Sequence, residues 1–125
     1  MDVTPLIRKG QNIIQGYKGG SFKISGNTYE NALIISPHEL LEWNIPEDFS
    51  SLEFEHFKEI INRRNEFDVF LFGTGKTIKF LPKDLKIQLK NEGVALDVMD
   101  TGAACRTYNV LMAEGRRVVV LLKPV

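Results

Sequence analysis

The sequence predicts an α/β fold. It reads as a single domain over residues 1–125, with layered β and α elements, a mostly parallel C-terminal sheet and an antiparallel β portion at the N-terminus. Three observations support this. The apolar runs DVFLF, VALDVM and RRVVVLL are separated by two segments of helical pattern. Strand–helix–strand–helix–strand at such short spacing implies right-handed crossovers and parallel strands. Upstream, short apolar stretches are punctuated by Gly and Asn and show no helical period. No linker, low-complexity tract or repeat interrupts the 125 residues, a length that buries one sizeable core. The β-rich part spans about residues 10–48 and the α/β part about 50–124.

The elements follow in order. QNIIQGYKGG is a short strand that ends at Gly19-Gly20. SFKIS and TYENALIIS flank Gly26-Asn27, a dipeptide suited to a tight hairpin turn. Phe22 and Ile24 alternate with Lys23 and Ser25, as in a half-buried strand. ALII is continuous and apolar, which predicts burial on both faces, and Pro37 stops it. HELLEWNIPED reads either as an irregular turn or as a short strand, anchored by Trp43. SSLEFEHFKEIINRRN predicts one helix, capped by Ser50 or Ser51, with acids in its first turn and Arg63 and Arg64 in its last. Leu52, Phe57, Ile60 and Ile61 share roughly one face of it. PKDLKIQLKNEG predicts a helix with Pro82 at its start and Gly93 past its end. TGAACRTYNVLMAEG predicts a second, ending at Gly115, and Pro124 stops the last strand.

Composition narrows the function. Sixteen basic residues balance sixteen acidic ones, so the excess of Lys and Arg that a nucleic-acid binder relies on is missing. The charge is unevenly placed. Residues 30–68 hold ten acidic and three basic side chains, a net of −7, against +3 before and +4 after. That asymmetry suits a polar protein partner, or else marks a solvated surface. Cys105 is the lone cysteine, so no internal disulfide forms and a reducing compartment fits. The start MDVTPLIRKG does not read as a signal peptide, and no apolar run reaches the length of a membrane span. The expected location is cytoplasmic, or peripheral to the inner membrane through a partner.

FGTGKT, residues 72–77, holds half of a P-loop. The full motif needs a glycine five residues before Gly75, and Phe70 stands there. Its Lys-Thr should also enter a helix, whereas TIKFLP reads as extended chain. The milder expectation is a ligand crevice at the C-terminal ends of parallel strands. Gly73, Thr74 and Gly75 leave one such end. Asp100, Thr101 and Gly102 leave the next, with Asp100 or Thr101 as helix cap. Lys76, Arg106 and Asn109 can donate into a crevice between the two turns. The plainer alternative is that Gly73 and Gly75 only let the chain turn. The small run Gly102, Ala103, Ala104 means that something packs closely against this helix start.

Cys105 sits in the first turns of that helix beside Arg106, a setting that can lower a thiol pKa. A cysteine nucleophile normally needs a base as well. Only His38 and His56 exist, and nothing in the sequence brings either one near. A buried core thiol is the alternative. Two isolated histidines and one cysteine show no metal-ligand spacing. No catalytic residue, metal or cofactor is assigned, and the sequence leans against an enzyme.

The Gly73-Thr74-Gly75 turn and the run from Met99 through Asp100, Thr101, Gly102, Ala103, Ala104, Cys105, Arg106, Thr107 and Tyr108 to Asn109 carry a family likeness. With ALIIS and Trp43, they make roughly residues 10–124 similar to a small domain-of-unknown-function family. Its prototype is an archaeal hypothetical protein, and it includes a mitochondrial assembly factor of respiratory complex I. Lys76 departs from what many relatives carry after the second glycine. The resemblance implies a compact α/β fold, no established enzymatic activity, and a role beside other proteins in assembling a membrane-bound complex.

Two functions from different classes follow. One is a non-catalytic binding protein, an assembly or chaperone-like factor for a membrane respiratory complex, whose partner surface lies near the two glycine turns. The other is a small enzyme or an anion- or nucleotide-binding protein that uses the crevice between them. A homo-oligomer that pairs through an exposed strand edge is a further possibility.

Overall fold

The computed structural model describes residues 10–125. The segment read for a signal peptide, residues 1–9, lies outside the described residues. Eight strands form two sheets. The smaller is an antiparallel meander of β1 (Ile14–Gly16), β2 (Phe22–Ile24) and β3 (Asn27–Tyr29). The larger has the order β5-β4-β8-β6-β7. It is built from β4 (Leu33–Ser36), β5 (Glu39–Glu42), β6 (Val69–Gly73), β7 (Leu96–Met99) and β8 (Val118–Leu122).

The expected architecture is present. β6 pairs in parallel with β7 and with β8, and helices connect them. β4 and β5 extend this sheet antiparallel from β8. Every residue of β4 and β8 is buried, because the sheet is covered on both faces. The period of two then divides the core. Phe70, Phe72, Val119 and Leu121 face one cluster, with Trp43, Phe57 and Leu89. Leu71, Val118, Val120 and Leu122 face the other, with Phe22, Cys105 and Tyr108. The helix α2 (Lys83–Asn91) therefore packs on one face of the sheet and α3 (Thr101–Ala113) on the opposite face.

Three local expectations are corrected. TYENALIIS is two strands in different sheets, because the polar pair Glu30-Asn31 interrupts it between β3 and β4. The hairpin turn is centred one residue earlier than Gly26-Asn27. Ser25 (φ 46°) and Gly26 (φ 88°) are its central residues, and Ile24 pairs with Asn27. Two left-handed residues in a two-residue loop match the twist of the flanking strands.

The third correction is the largest. The helix expected from residue 50 onward is broken into short turns. A 3-10 turn at Phe49–Ser51 is capped by Asp48, not by Ser50 or Ser51, and its carboxylate accepts the Ser50 N–H. The chain then extends through Leu52 and Glu53. A second 3-10 turn, Phe54–Phe57, leads into the five-residue helix α1 (Lys58–Asn62). The polar side chains that look like helix caps each compete for the backbone and restart the chain. His56 Nδ1 accepts the Glu53 N–H at 2.8 Å. The apolar spacing still serves burial: Leu52, Phe57, Ile60 and Ile61 all reach the core. HELLEWNIPED resolves into the strand β5 followed by Trp43, which is 5% exposed and donates Nε1–H to the His56 carbonyl.

Candidate functional site

The parallel pairing of β6 with β7 brings Gly73 level with Met99. The two turns that leave these strands therefore meet, as the sequence suggests. What forms between them is a closed joint. The Thr74 N–H donates to the Met99 carbonyl at 2.9 Å. Gly75 and Thr101 exchange a pair of bonds. The Thr101 N–H donates to the Gly75 carbonyl, and the Gly75 N–H donates to Thr101 Oγ1, each at 2.9 Å. Thr101 Oγ1–H then donates to the Lys123 carbonyl at 2.7 Å, which ties in the chain after β8. Thr74 Oγ1 accepts the Lys79 N–H and donates to the Thr77 carbonyl. Thr74 and Thr101 are 2% and 0% exposed.

Sterics close the joint as tightly as the hydrogen bonds do. A Cβ on Gly73 would stand 2.8 Å from Thr101 Cα and 3.0 Å from Ala104 Cβ. Glycine is required there by close approach, with β6 lying against the start of α3. Gly75 has φ 121°, a conformation that side chains disfavour. Asp100 caps α3, and its carboxylate accepts the Ala103 N–H.

The rest of the α3 start is equally committed. Cys105 is 2% exposed. Burial pushes its thiol up to about 12 and outweighs the pull of Arg106 in the other direction. It is a neutral core thiol at physiological pH. His56 precedes Phe57, in the element packed on the opposite face of the sheet. Asn109 does not donate toward the two turns. Its Nδ2 donates to the Ile14 carbonyl at 2.8 Å and its Oδ1 accepts the Ile14 N–H at 3.0 Å, so it holds β1 against α3. Lys76 is exposed, and the chain after it stays non-helical until Lys83, unlike a P-loop lysine that enters a helix.

One residue of the joint escaped sequence reasoning. Tyr17 lies over Gly102, where a Cβ would meet its hydroxyl oxygen at 2.9 Å. That hydroxyl accepts a bond from Arg106 Nη1, also at 2.9 Å. The small residues at 102–104 signalled a close neighbour but carried no sign of which one. Arg106 and Val110 (58% exposed), four residues apart on α3, remain open to solvent.

These features define a class: an α/β domain on a mixed five-stranded sheet, with an interlocked joint where α/β ligand sites often open. Comparison with known proteins gives the family. The chain belongs to the family described as Protein of unknown function (DUF498/DUF598), whose model matches residues 14–123. It is 35% identical to an uncharacterized protein of Rhodobacter capsulatus over 111 residues, 89% of this chain and 83% of that one. It is 30% identical over 112 residues to the NADH dehydrogenase (ubiquinone) 1 alpha subcomplex assembly factor 3 of Danio rerio. The match covers 90% of this chain and 64% of that assembly factor, so the chain spans under two thirds of its length. In structure it resembles a Bordetella parapertussis protein, with a TM-score of 0.81 and 30% identity, over 94% of this chain and 98% of that one. The expected kinship with complex I assembly factors is thus present. These relatives are bacterial and vertebrate, and they do not bear on an archaeal prototype.

Proposed function

We propose that this chain is a non-catalytic binding protein that helps a membrane-bound respiratory complex to assemble. The observation that carries this reading is the similarity to a complex I assembly factor over 90% of the chain. The joint supports it, because its amides, hydroxyls and thiol are held within the fold and offer a substrate little to react with. In this reading Gly73, Thr74, Gly75, Asp100, Thr101, Gly102, Cys105 and Asn109 are the frame of a docking surface. Arg106 and Val110 are its contact residues. The partner is a subunit of the complex or a second assembly protein. Among the described residues no helix is long and apolar enough to cross a membrane. The chain then works at the cytoplasmic side of the inner membrane, held there through what it binds.

Affinity purification of the tagged protein from its own cells after mild cross-linking tests this. Respiratory-complex subunits or their assembly proteins are expected in the eluate, and Arg106→Ala should deplete them without lowering the melting temperature by more than a few degrees. Recovery of the protein alone, or only of copies of itself, would overturn the reading.

A further inference from the structure

Between β6 and β7 the chain exposes a second surface, on the face of the sheet away from α3. Phe80 is 78% exposed, and Ile78 and Ile87 are each 46% exposed. Around them the charge is mostly positive. Residues 76–90 contain five lysines and a single acid, Asp84, in a chain with no net charge. Leu85 and Leu89 bury the inner side of α2. With 3.6 residues per turn, Lys83, Lys86, Ile87 and Lys90 fall within an arc of about 100° on the outer side. None of these lysines has an ion-pair partner among the described residues. Glu53 and Glu55 stand with Gln88 at the flank of α2, off the lysine arc. Lys79 lies outside α2, with its Nζ 6.0 Å from the Phe49 ring.

A protein interface seldom looks like this. Its core gathers apolar side chains into one patch and excludes Lys. Here exposed apolar residues alternate with lysines along residues 76–90, which suits a segment that lies in a membrane interface. Cationic heads meet anionic phospholipid, while isolated apolar groups enter the acyl boundary. We propose that residues 76–90 dock on the surface of an anionic bilayer, with Lys83, Lys86 and Lys90 on headgroup phosphates and Phe80 inserted below them. This goes beyond the assembly reading and does not depend on it. Because α2 and α3 cover opposite faces of the sheet, a molecule resting on α2 leaves Arg106 and Val110 free.

Flotation of the full chain with lipid vesicles tests the proposal. Wild-type protein should float with mixed phosphatidylglycerol and phosphatidylcholine vesicles and not with pure phosphatidylcholine, and added salt should release it. The triple variant K83Q/K86Q/K90Q should bind about a hundredfold more weakly, since each lysine near such a surface contributes about a fivefold factor. Phe80→Ser should bind roughly tenfold more weakly. Both variants should melt at the wild-type temperature, because the altered side chains are exposed. No flotation of the wild type would overturn the proposal, as would equal flotation of the triple variant. So would variants that bind vesicles normally but lose a co-purifying protein, which would make this face a protein interface.

Discussion

The two crossovers of the parallel sheet make opposite use of similar sequence. Both leave a strand beside a glycine, Gly75 in the turn after β6 and Gly102 in the first turn of α3, and enter a helix. In the crossover from β7 to β8, the inner side of α3 is sealed from its first residue: Thr101, Gly102, Ala104, Cys105 and Tyr108 are all buried, while Arg106 on its outer side stays exposed. In the crossover from β6 to β7, the chain is tied down only as far as Gly75. It then runs exposed through Ile78 and Phe80 into a lysine-rich helix. Glycines, small residues and a cysteine suggest a reactive site when read in sequence, but here they are a packing device. The surfaces available for binding lie beside them, on exposed residues such as Arg106, Val110 and Phe80. Substitutions at the buried residues of the sealed crossover should therefore act on stability, and substitutions at exposed residues, Arg106 and Val110 on α3 as well as Phe80 and the lysines of the open crossover, should act on binding.

The largest expected effect is at Gly73. Gly73→Val places atoms inside the contact distance of backbone Thr101 Cα, which cannot rotate away. A destabilisation of about 3 kcal/mol or more is expected from urea unfolding. A change within experimental error would mean that the joint opens easily, and the contrast between the crossovers would fail.

Thr101→Val comes next. It keeps the shape of the side chain and removes the Oγ1 that accepts from Gly75 and donates to Lys123. Two half-buried backbone groups, the Gly75 N–H and the Lys123 carbonyl, lose their partner, at a cost of about 2 kcal/mol. The matching substitution in the open crossover, Phe80→Ser, should shift stability by no more than about 0.5 kcal/mol. If the two variants had equal unfolding midpoints, the comparison would lose its basis.

Alkaline pH sharpens the contrast further. The Cys105 thiol is neutral in the folded protein, with its pKa raised by burial from 9.0 to about 12. Unfolding frees it to ionise near the ordinary value. Its contribution to stability is therefore complete below about pH 9 and declines as pH rises toward 12. Tyr108, raised by burial as well, acts in the same direction at higher pH. The urea midpoint should fall across that range, and less steeply in Cys105→Ala. A thiol-reactive dye should label Cys105 slowly in buffer and quickly in urea. Fast labelling in buffer would place the thiol at the surface.

How far the sequence foretold this molecule follows the same division. The apolar runs of β6 and β8, a cap at Asp100 or Thr101, and Pro82 and Gly93 bounding α2 are local signals, and they were legible. The extended reading of TIKFLP after the half P-loop FGTGKT matches a chain that stays non-helical from Lys76 to Pro82. The broken helix around α1 was not legible, because Asp48, Glu53 and His56 resemble helix-end residues wherever they stand. Only the packed structure decides that each one restarts the chain. The joint was half legible. Gly102, Ala103 and Ala104 announced close approach, whereas Gly73 read only as a turn or crevice residue, and Tyr17 is 85 residues before Gly102 and carries no pattern that points to it. The exposure of Phe80 was hidden too, since TIKFLP alternates in the way a half-buried strand would.

Native-state amide hydrogen exchange, read residue by residue by NMR, tests the contrast most directly. The amides of Thr74, Gly75 and Thr101 should exchange as slowly as those of Leu71 and Phe72 in β6, while the amides of residues 76–78 exchange freely. If Gly75 and Thr101 instead exchanged as fast as residues 76–78, the joint would be an open crevice. A ligand site between the two glycine turns would then displace the packing account.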